Sequence, residues 1–288
     1  MFSLIKKELS EKKLGRGIEL VKLRAGGRKV SFFVFLAQNN LPHFYLKIGT
    51  FVSDNFLIES EFNKLKSAGD VLTADLKKSL AKPIDLFKIG ERLFSLEEAV
   101  VGRPVSARAS ARDLKKIFDW LVNFHQSGQG GEREISQEFF IKFLWGYENF
   151  IPALKSDARF RPRAEDFVKN NWLGGEFKIP VIKQHGDFHF ANLIFQTSRL
   201  KVLDWLSYGR IDLPAYDLVF FLKRQKNINS VKGQDLLLAY FKIFSLPQEL
   251  LPFWLKLMPL IDALERWSRG SDFISPLMVD KFLKEEFT

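Results

Sequence analysis

The chain contains no cysteine. Disulfides, thiolate catalysis and cysteine-based zinc sites are excluded at once. Histidine is nearly as scarce, with four in 288 residues. Two of them, His43 and His125, stand outside any second ligand cluster, which leaves little material for a histidine-rich metal centre. Long hydrophobic runs are missing too. The longest lies near Phe32–Ala37, far short of the roughly 20 residues a membrane helix needs. The opening Met1-Phe2-Ser3-Leu4-Ile5-Lys6-Lys7 lacks the long apolar core of a signal peptide. No internal repeat or low-complexity tract stands out. The basic residues are spread along the chain, and the densest cluster, Lys6 to Arg16, is diluted by Glu8 and Glu11. That pattern is not an aromatic-basic nucleic-acid motif. These absences predict a soluble, cytoplasmic protein with no membrane span and no specific nucleic-acid partner.

Hydrophobic residues make up 46% of the chain and charged residues 27%, enough for a real core in a soluble protein. The length suits one large domain or two modest ones. The 30 phenylalanines point to bulky aromatic packing. A net charge of +10 allows an anionic partner such as a nucleotide, although charge of this kind is as a rule a solvated lysine-rich surface.

Residues 18–50 read as an antiparallel meander. Ile18–Leu23, Val30–Leu36 and Phe44–Ile48 are separated by turn signals at Ala25-Gly26-Gly27-Arg28 and Asn39-Asn40-Leu41-Pro42. Lys47 interrupts the third strand. It is either an edge lysine snorkelling to water or an ammonium aimed at phosphate. Residues 56–68 look helical, with Ile58, Phe62 and Leu65 on one face. Glu61 falls on that packed side and Glu59 on the far side. A carboxylate there either reaches solvent at the boundary or needs a partner, and Lys47 is the obvious one; Glu59 is the fallback. Short apolar runs fill 72–101, ending at Gly102-Arg103-Pro104. From 110 to 150 the pattern reads as helical, with His125 as a core histidine. A short helix is predicted near 164–172. Asp212 is placed to cap, and Pro214 to begin, an apolar helix; further helices follow at 234–245, 248–268 and 275–287.

The densest polar stretch is Gln184-His185-Gly186-Asp187-Phe188-His189-Phe190-Ala191-Asn192, followed by Lys201-Val202-Leu203-Asp204-Trp205. Leu193–Phe195 and Val202-Leu203 read as buried strands flanking a polar loop. The order Asp187-x-x-x-x-Asn192, then Asp204 after a short strand, has the spacing of a kinase catalytic apparatus. Phosphoryl transfer needs a carboxylate at the acceptor hydroxyl, oxygen ligands for Mg²⁺, and a cation on the nucleotide phosphates. Asp187 suits the first task, Asn192 and Asp204 the second, and Lys47 the third, with Glu61 holding Lys47.

His185-Gly186-Asp187-Phe188-His189-x-x-Asn192 followed by Leu203-Asp204-Trp205 resembles the aminoglycoside phosphotransferase and choline kinase family of small-molecule kinases. Further anchors follow in the same order: Tyr45-Leu46-Lys47, Glu61-x-x-x-Leu65, Leu96-Glu97-Glu98-x-x-x-Gly102-Arg103-Pro104, Phe118 to His125, and Asp212 to Leu218. The resemblance implies an α+β, bilobal protein-kinase-like fold. It implies a nucleotide-binding lobe at 1–96 with an antiparallel sheet plus a helix, a hinge at 97–104, and a larger, mostly helical catalytic and substrate-binding lobe at 105–288. It implies ATP (or GTP) and Mg²⁺ as cofactors, with the backbone of Glu97, Glu98 and Ala99 meeting the base. Asp217 would support the catalytic loop. The phosphate-covering turn, Ala25 to Ser31, lacks Gly-x-Gly-x-x-Gly, a plain turn of the kind this family often has. Trp205 replaces the Phe-Gly of protein kinases, which favours a small-molecule enzyme.

Two rivals remain. His185-x-Asp187-x-His189 alternates three metal-ligand types, as in a zinc or iron hydrolase, but that reading leaves Asn192 unused. A catalytically silent kinase-like scaffold is the other. The resemblance implies as acceptor a small hydroxyl compound of the aminoglycoside, choline or sugar kind. Its pocket is expected from 140–180 and 205–275, where Trp145, Trp172, Trp205, Trp254, Trp267, Glu148 and Asp262 are either a cation cage or core.

Overall fold

The computed structural model describes residues 2–11, 17–26, 28–37, 39–269 and 276–284. Gly27 in the expected phosphate-covering turn, residues 12–16 of the basic cluster and residues 275 and 285–287 of the last expected helix lie outside the described residues. In chain order the elements begin α1 (Phe2–Leu9), β1 (Glu19–Gly26), β2 (Lys29–Phe35), β3 (Phe44–Gly49), α2 (Asn55–Val71), α3 (Ala74–Lys77), β4 (Pro83–Ile89), β5 (Arg92–Glu98), β6 (Arg103–Pro104) and α4 (Ala111–Ser127). They continue with β7 (Gln129–Ile135), α5 (Gln137–Trp145), α6 (Pro152–Ser156), α7 (Phe160–Asn171), β8 (Phe177–Ile182), β9 (Leu193–Gln196) and β10 (Arg199–Val202). The last are α8 (Tyr216–Arg224), α9 (Val231–Ile243), α10 (Leu251–Ser268) and α11 (Pro276–Leu283). No helix among the described residues is long and apolar enough to cross a membrane.

The chain divides into two compact units, residues 1–128 with 183–211, and 129–182 with 212–288. The first is built on a five-stranded antiparallel sheet in the order β1-β2-β3-β5-β4. The two-residue period of a strand sorts its side chains onto two faces. Phe32, Val34, Leu46, Ile48, Phe94 and Leu96 form one buried layer with Ile5 and Leu9 of α1. The alternate positions, Ser31, Lys47, Ser95 and Glu97, are also buried, and α2 packs against β3 and β5. α2 turns Ile58, Glu61, Phe62, Leu65 and Ala68 inward, the stripe that the 3.6-residue period anticipates. α4 begins where the Ser110 side chain accepts the Asp113 N–H at 3.1 Å, a normal N-cap.

Three sequence expectations need correction. The buried strands do not flank the polar loop: β9 and β10 pair with each other as a tight hairpin, so Asn192 enters it and Asp204 leaves it. The stretch 110–150 is not helical throughout, because β7 interrupts it and pairs with β8 over the register Glu132↔Pro180 to Ile135↔Phe177. Asp212 caps no helix. The cap of α8 is Ala215, and Asp212 instead accepts two hydrogen bonds from the Arg133 guanidinium, the Nη1 one at 2.8 Å.

The second unit carries β7, β8 and the helices α5–α11. Its core is aromatic. Phe140 lies 5.0 to 5.5 Å from the rings of Trp172, Phe253 and Trp254, within the range of favourable ring pairs. The Trp254 indole N–H donates to the Pro214 carbonyl at 2.8 Å. Glu148 is held by the Arg161 guanidinium, with Nη2 2.7 Å from Oε2. Trp172, Trp254 and Glu148, offered above as cage or core, are therefore engaged within this unit.

Candidate active site

The cavity-facing side of the sheet carries the charge. Lys47 is only 8% exposed, and its Nζ donates to Glu61 Oε1 and Glu97 Oε1, both at 2.7 Å. Glu61, not the exposed Glu59, faces the lysine, as its position on the packed side of the helix required. Its second oxygen accepts from Lys29 Nζ at 2.7 Å, and the same ammonium lies 3.8 Å from Asp204 Oδ2. Burial opposes the charge on Lys47, but Glu61 and then Glu97 outweigh it and hold the ammonium above its ordinary range. For Glu61 burial acts upward, yet Lys47 and Lys29 overcome it and bring the carboxyl down to about 2. Glu97 goes the other way. Burial, reinforced by the neighbouring Glu61 charge, pushes it up despite Lys47.

The polar loop is a framework of short bonds. His185 is fully buried. Its Nε2 donates to the Leu203 carbonyl (3.0 Å), and its Nδ1 accepts the Asp187 N–H (3.3 Å). These two bonds define one neutral tautomer and tie the loop to the end of β10. His189 Nδ1 accepts the Ala191 N–H at 3.2 Å, and its Nε2 lies 3.6 Å from Asp187 Oδ1. Asn192 turns its amide N–H groups toward Asp187, at 2.9 Å from the carbonyl and 3.1 Å from Oδ2. Gly186 turns at φ +81, where a side chain would meet Ser207 O at 2.6 Å; only glycine fits this crossing. Asp204 is left-handed at φ 57. A non-glycine residue there is strained, and such strain gathers at functional sites.

A divalent cation can be tested against this donor set. With its N–H groups spent on Asp187, Asn192 offers its amide Oδ1, and Asp204 offers a carboxylate to the same cavity. Carboxylate and amide oxygens suit Mg²⁺, so the residues fit. The His185/Asp187/His189 trio does not: His185 spends both ring nitrogens on backbone groups. Among the described residues no three His, Cys, Asp or Glu side chains converge as a metal site.

Lys29, Lys47, Glu61, Glu97, Glu98, Asn192 and Asp204 line one cavity of about 540 Å³, with walls from Phe33, Leu65, Val100, Ile194 and Val202. Asp187 and Ala99 do not line it. The Ala99 N–H is bonded to His43 O at 3.0 Å and the Glu98 N–H to Lys82 O at 2.8 Å, so neither donor is spare. Sequence reasoning missed Lys29 and the side chain of Glu97. The signal for Lys29 was its two-residue spacing from Ser31 and Phe33 on the cavity face of β2. Glu97 carried a similar one, a charge inside a buried strand.

Solved structures share this fold. A fructosamine-3-kinase assignment from Haemophilus somnus 129PT aligns with TM-score 0.64 at 13% identity, covering 100% of this chain and 98% of its own. Choline kinase from Cryptosporidium parvum Iowa II aligns with TM-score 0.63 at 12% identity, over 99% and 94% of the two chains. An aminoglycoside phosphotransferase in ternary complex with ADP and hygromycin B aligns with TM-score 0.58 at 12% identity, over 99% of each. At these identities the likeness defines the architecture: a kinase-like α+β fold. The sequence itself matches the phosphotransferase enzyme family over residues 73–253, more than half of its length, and the protein belongs to that family. No curated protein sequence matches it.

Proposed function

We propose that the protein transfers the terminal phosphoryl group of ATP (or GTP) to a hydroxyl of a small metabolite, with Mg²⁺, in the cytoplasm. The observation that carries this reading is the convergence of the Lys47–Glu61 ion pair with Asn192 and Asp204 in one cavity. Lys47 holds nucleotide phosphates, and Glu61 fixes Lys47. The 97–104 segment serves as the hinge, and the base lies along its Glu97–Val100 edge. Asn192 Oδ1 and Asp204 hold the metal, which when bound neutralises charge on the phosphate oxygens. Asp187 orients the acceptor hydroxyl and takes its proton. The acceptor oxygen forms its bond to the terminal phosphorus as the bond to the bridging oxygen breaks, and the nucleoside diphosphate leaves. His185 and Asn192 keep the Asp187 loop in place.

The acceptor belongs to the aminoglycoside, amino-alcohol or sugar-like hydroxyl compounds. The neighbours include a choline kinase and a phosphotransferase bound to hygromycin B, which supports that range. The deciding experiment is an ADP-release screen over hydroxyl-bearing metabolites with Asp187→Ala as control. General-base groups contribute about 10²–10⁴ in rate, so the variant should lose at least 10²-fold in kcat while still binding nucleotide. Near-normal turnover by the variant overturns the role of Asp187. Nucleotide binding without ADP release on any acceptor favours the silent scaffold.

A further inference from the structure

The geometry points to Lys29 as a second phosphate-binding cation of the nucleotide site, needed here because Glu97 places an extra carboxylate on Lys47. The inference rests on the nucleotide-site reading above.

A lysine held by one carboxylate is neutralised locally and keeps donors for a ligand. Lys47 is held by two, Glu61 and Glu97, each at 2.7 Å. With both carboxylates ionised, that three-residue group carries one net negative charge and repels a polyphosphate. Among the residues that line the cavity, Glu61, Glu97, Glu98 and Asp204 supply four carboxylates, and without Lys29 the ammonium of Lys47 would face them alone. Lys29 adds the second ammonium, and it adds it at a useful place. Its Nζ bridges Glu61 Oε2, at 2.7 Å, and Asp204 Oδ2, at 3.8 Å. It therefore stands between the carboxylate that positions Lys47 and the carboxylate proposed for the metal, which is where a phosphate chain must run. An ammonium has three donors; Glu61 takes one, and the 3.8 Å approach to Asp204 is too long to be a hydrogen bond. Lys29 can thus turn a donor to a phosphate oxygen without releasing Glu61. Its side chain is 25% exposed, half-buried and open on the cavity side.

The test is calorimetric binding of ATP, ADP and adenosine to the full chain, at fixed salt, with and without Mg²⁺. A charged hydrogen bond of about 1.5–3 kcal/mol corresponds to about tenfold or more in affinity. Lys29→Met should weaken ATP by that factor and leave adenosine unchanged, and Lys29→Arg should recover most of the loss. Glu97→Gln, which removes the surplus charge without touching Lys29, should tighten ATP. The double variant should lie closer to wild type than Lys29→Met does. Equal losses for ATP and adenosine, or unchanged ATP affinity in Lys29→Met, overturn the proposal. If the methionine variant does not fold, weaker or unchanged ATP binding by Glu97→Gln does so by itself. A wild-type chain that binds no nucleotide sinks the site reading first, and this inference with it.

Discussion

Glu61 is the side chain on which the candidate site balances. Its carboxyl falls from an ordinary 4.5 to about 2 because two ammoniums grip its two oxygens against the opposing effect of burial. A carboxyl depressed in the folded state adds stability that is fully present above its unfolded value and lost as pH falls through the folded one. The stability difference between wild type and Glu61→Gln should therefore be largest above pH 4.5 and shrink as pH falls toward about 2. Urea unfolding at a series of pH values measures it; a difference flat across that window removes the ion-pair account. Glu97 works with the opposite sign. Its raised carboxyl favours the folded state most at low pH, and its ionisation takes stability away as pH rises. The role of Glu61 is legible in the sequence, because a carboxylate on the packed side of a helix needs a partner. The burial of Lys47 is not, since an edge lysine and a buried one look alike in a strand pattern.

Local elements deliver these side chains, and their failures would be specific. At Gly186 an added methyl would press on Ser207 O at 2.6 Å with φ at +81. Gly186→Ala should cost about 1–3 kcal/mol and misplace Asp187, so turnover should fall even at temperatures where the variant stays folded. Thermal melts beside ADP-release rates separate the two effects, and an unchanged melt with unchanged rate would show the crossing to be slack. Ser110→Ala, by contrast, removes only a helix cap and should cost about 1 kcal/mol with kcat untouched. The elements that sequence reasoning misread share one cause. β7 begins Gln129-Gly130-Gly131-Glu132 and has no apolar alternation to announce it; it exists because Phe177–Ile182 lies beside it. Asp212 has the chemistry of a cap, but Arg133, 79 positions earlier, claims it. The hairpin of β9 and β10 was visible as two apolar runs, but their mutual pairing was not.

In the molecule as a whole, aromatic packing supplies the bulk and charge supplies the chemistry. Phe140 is fully buried among Trp172, Phe253 and Trp254. Phe140→Ala should lower stability by about 3–5 kcal/mol, read from denaturant midpoints. A loss below about 1 kcal/mol would mean that the second unit repacks freely. The antiparallel meander, the helix bearing Glu61 and the spacing of Asp187, Asn192 and Asp204 were settled by local order: side-chain period, turn chemistry and residue spacing act within a few positions. The pairing of Lys29 and Lys47 with the two oxygens of Glu61, the extra carboxylate of Glu97 and the return of residues 183–211 to the first unit were decided only by tertiary structure. They depend on distances between residues far apart in the chain, and an ionic contact between buried groups follows from where the backbone carries them, not from the pattern around either one.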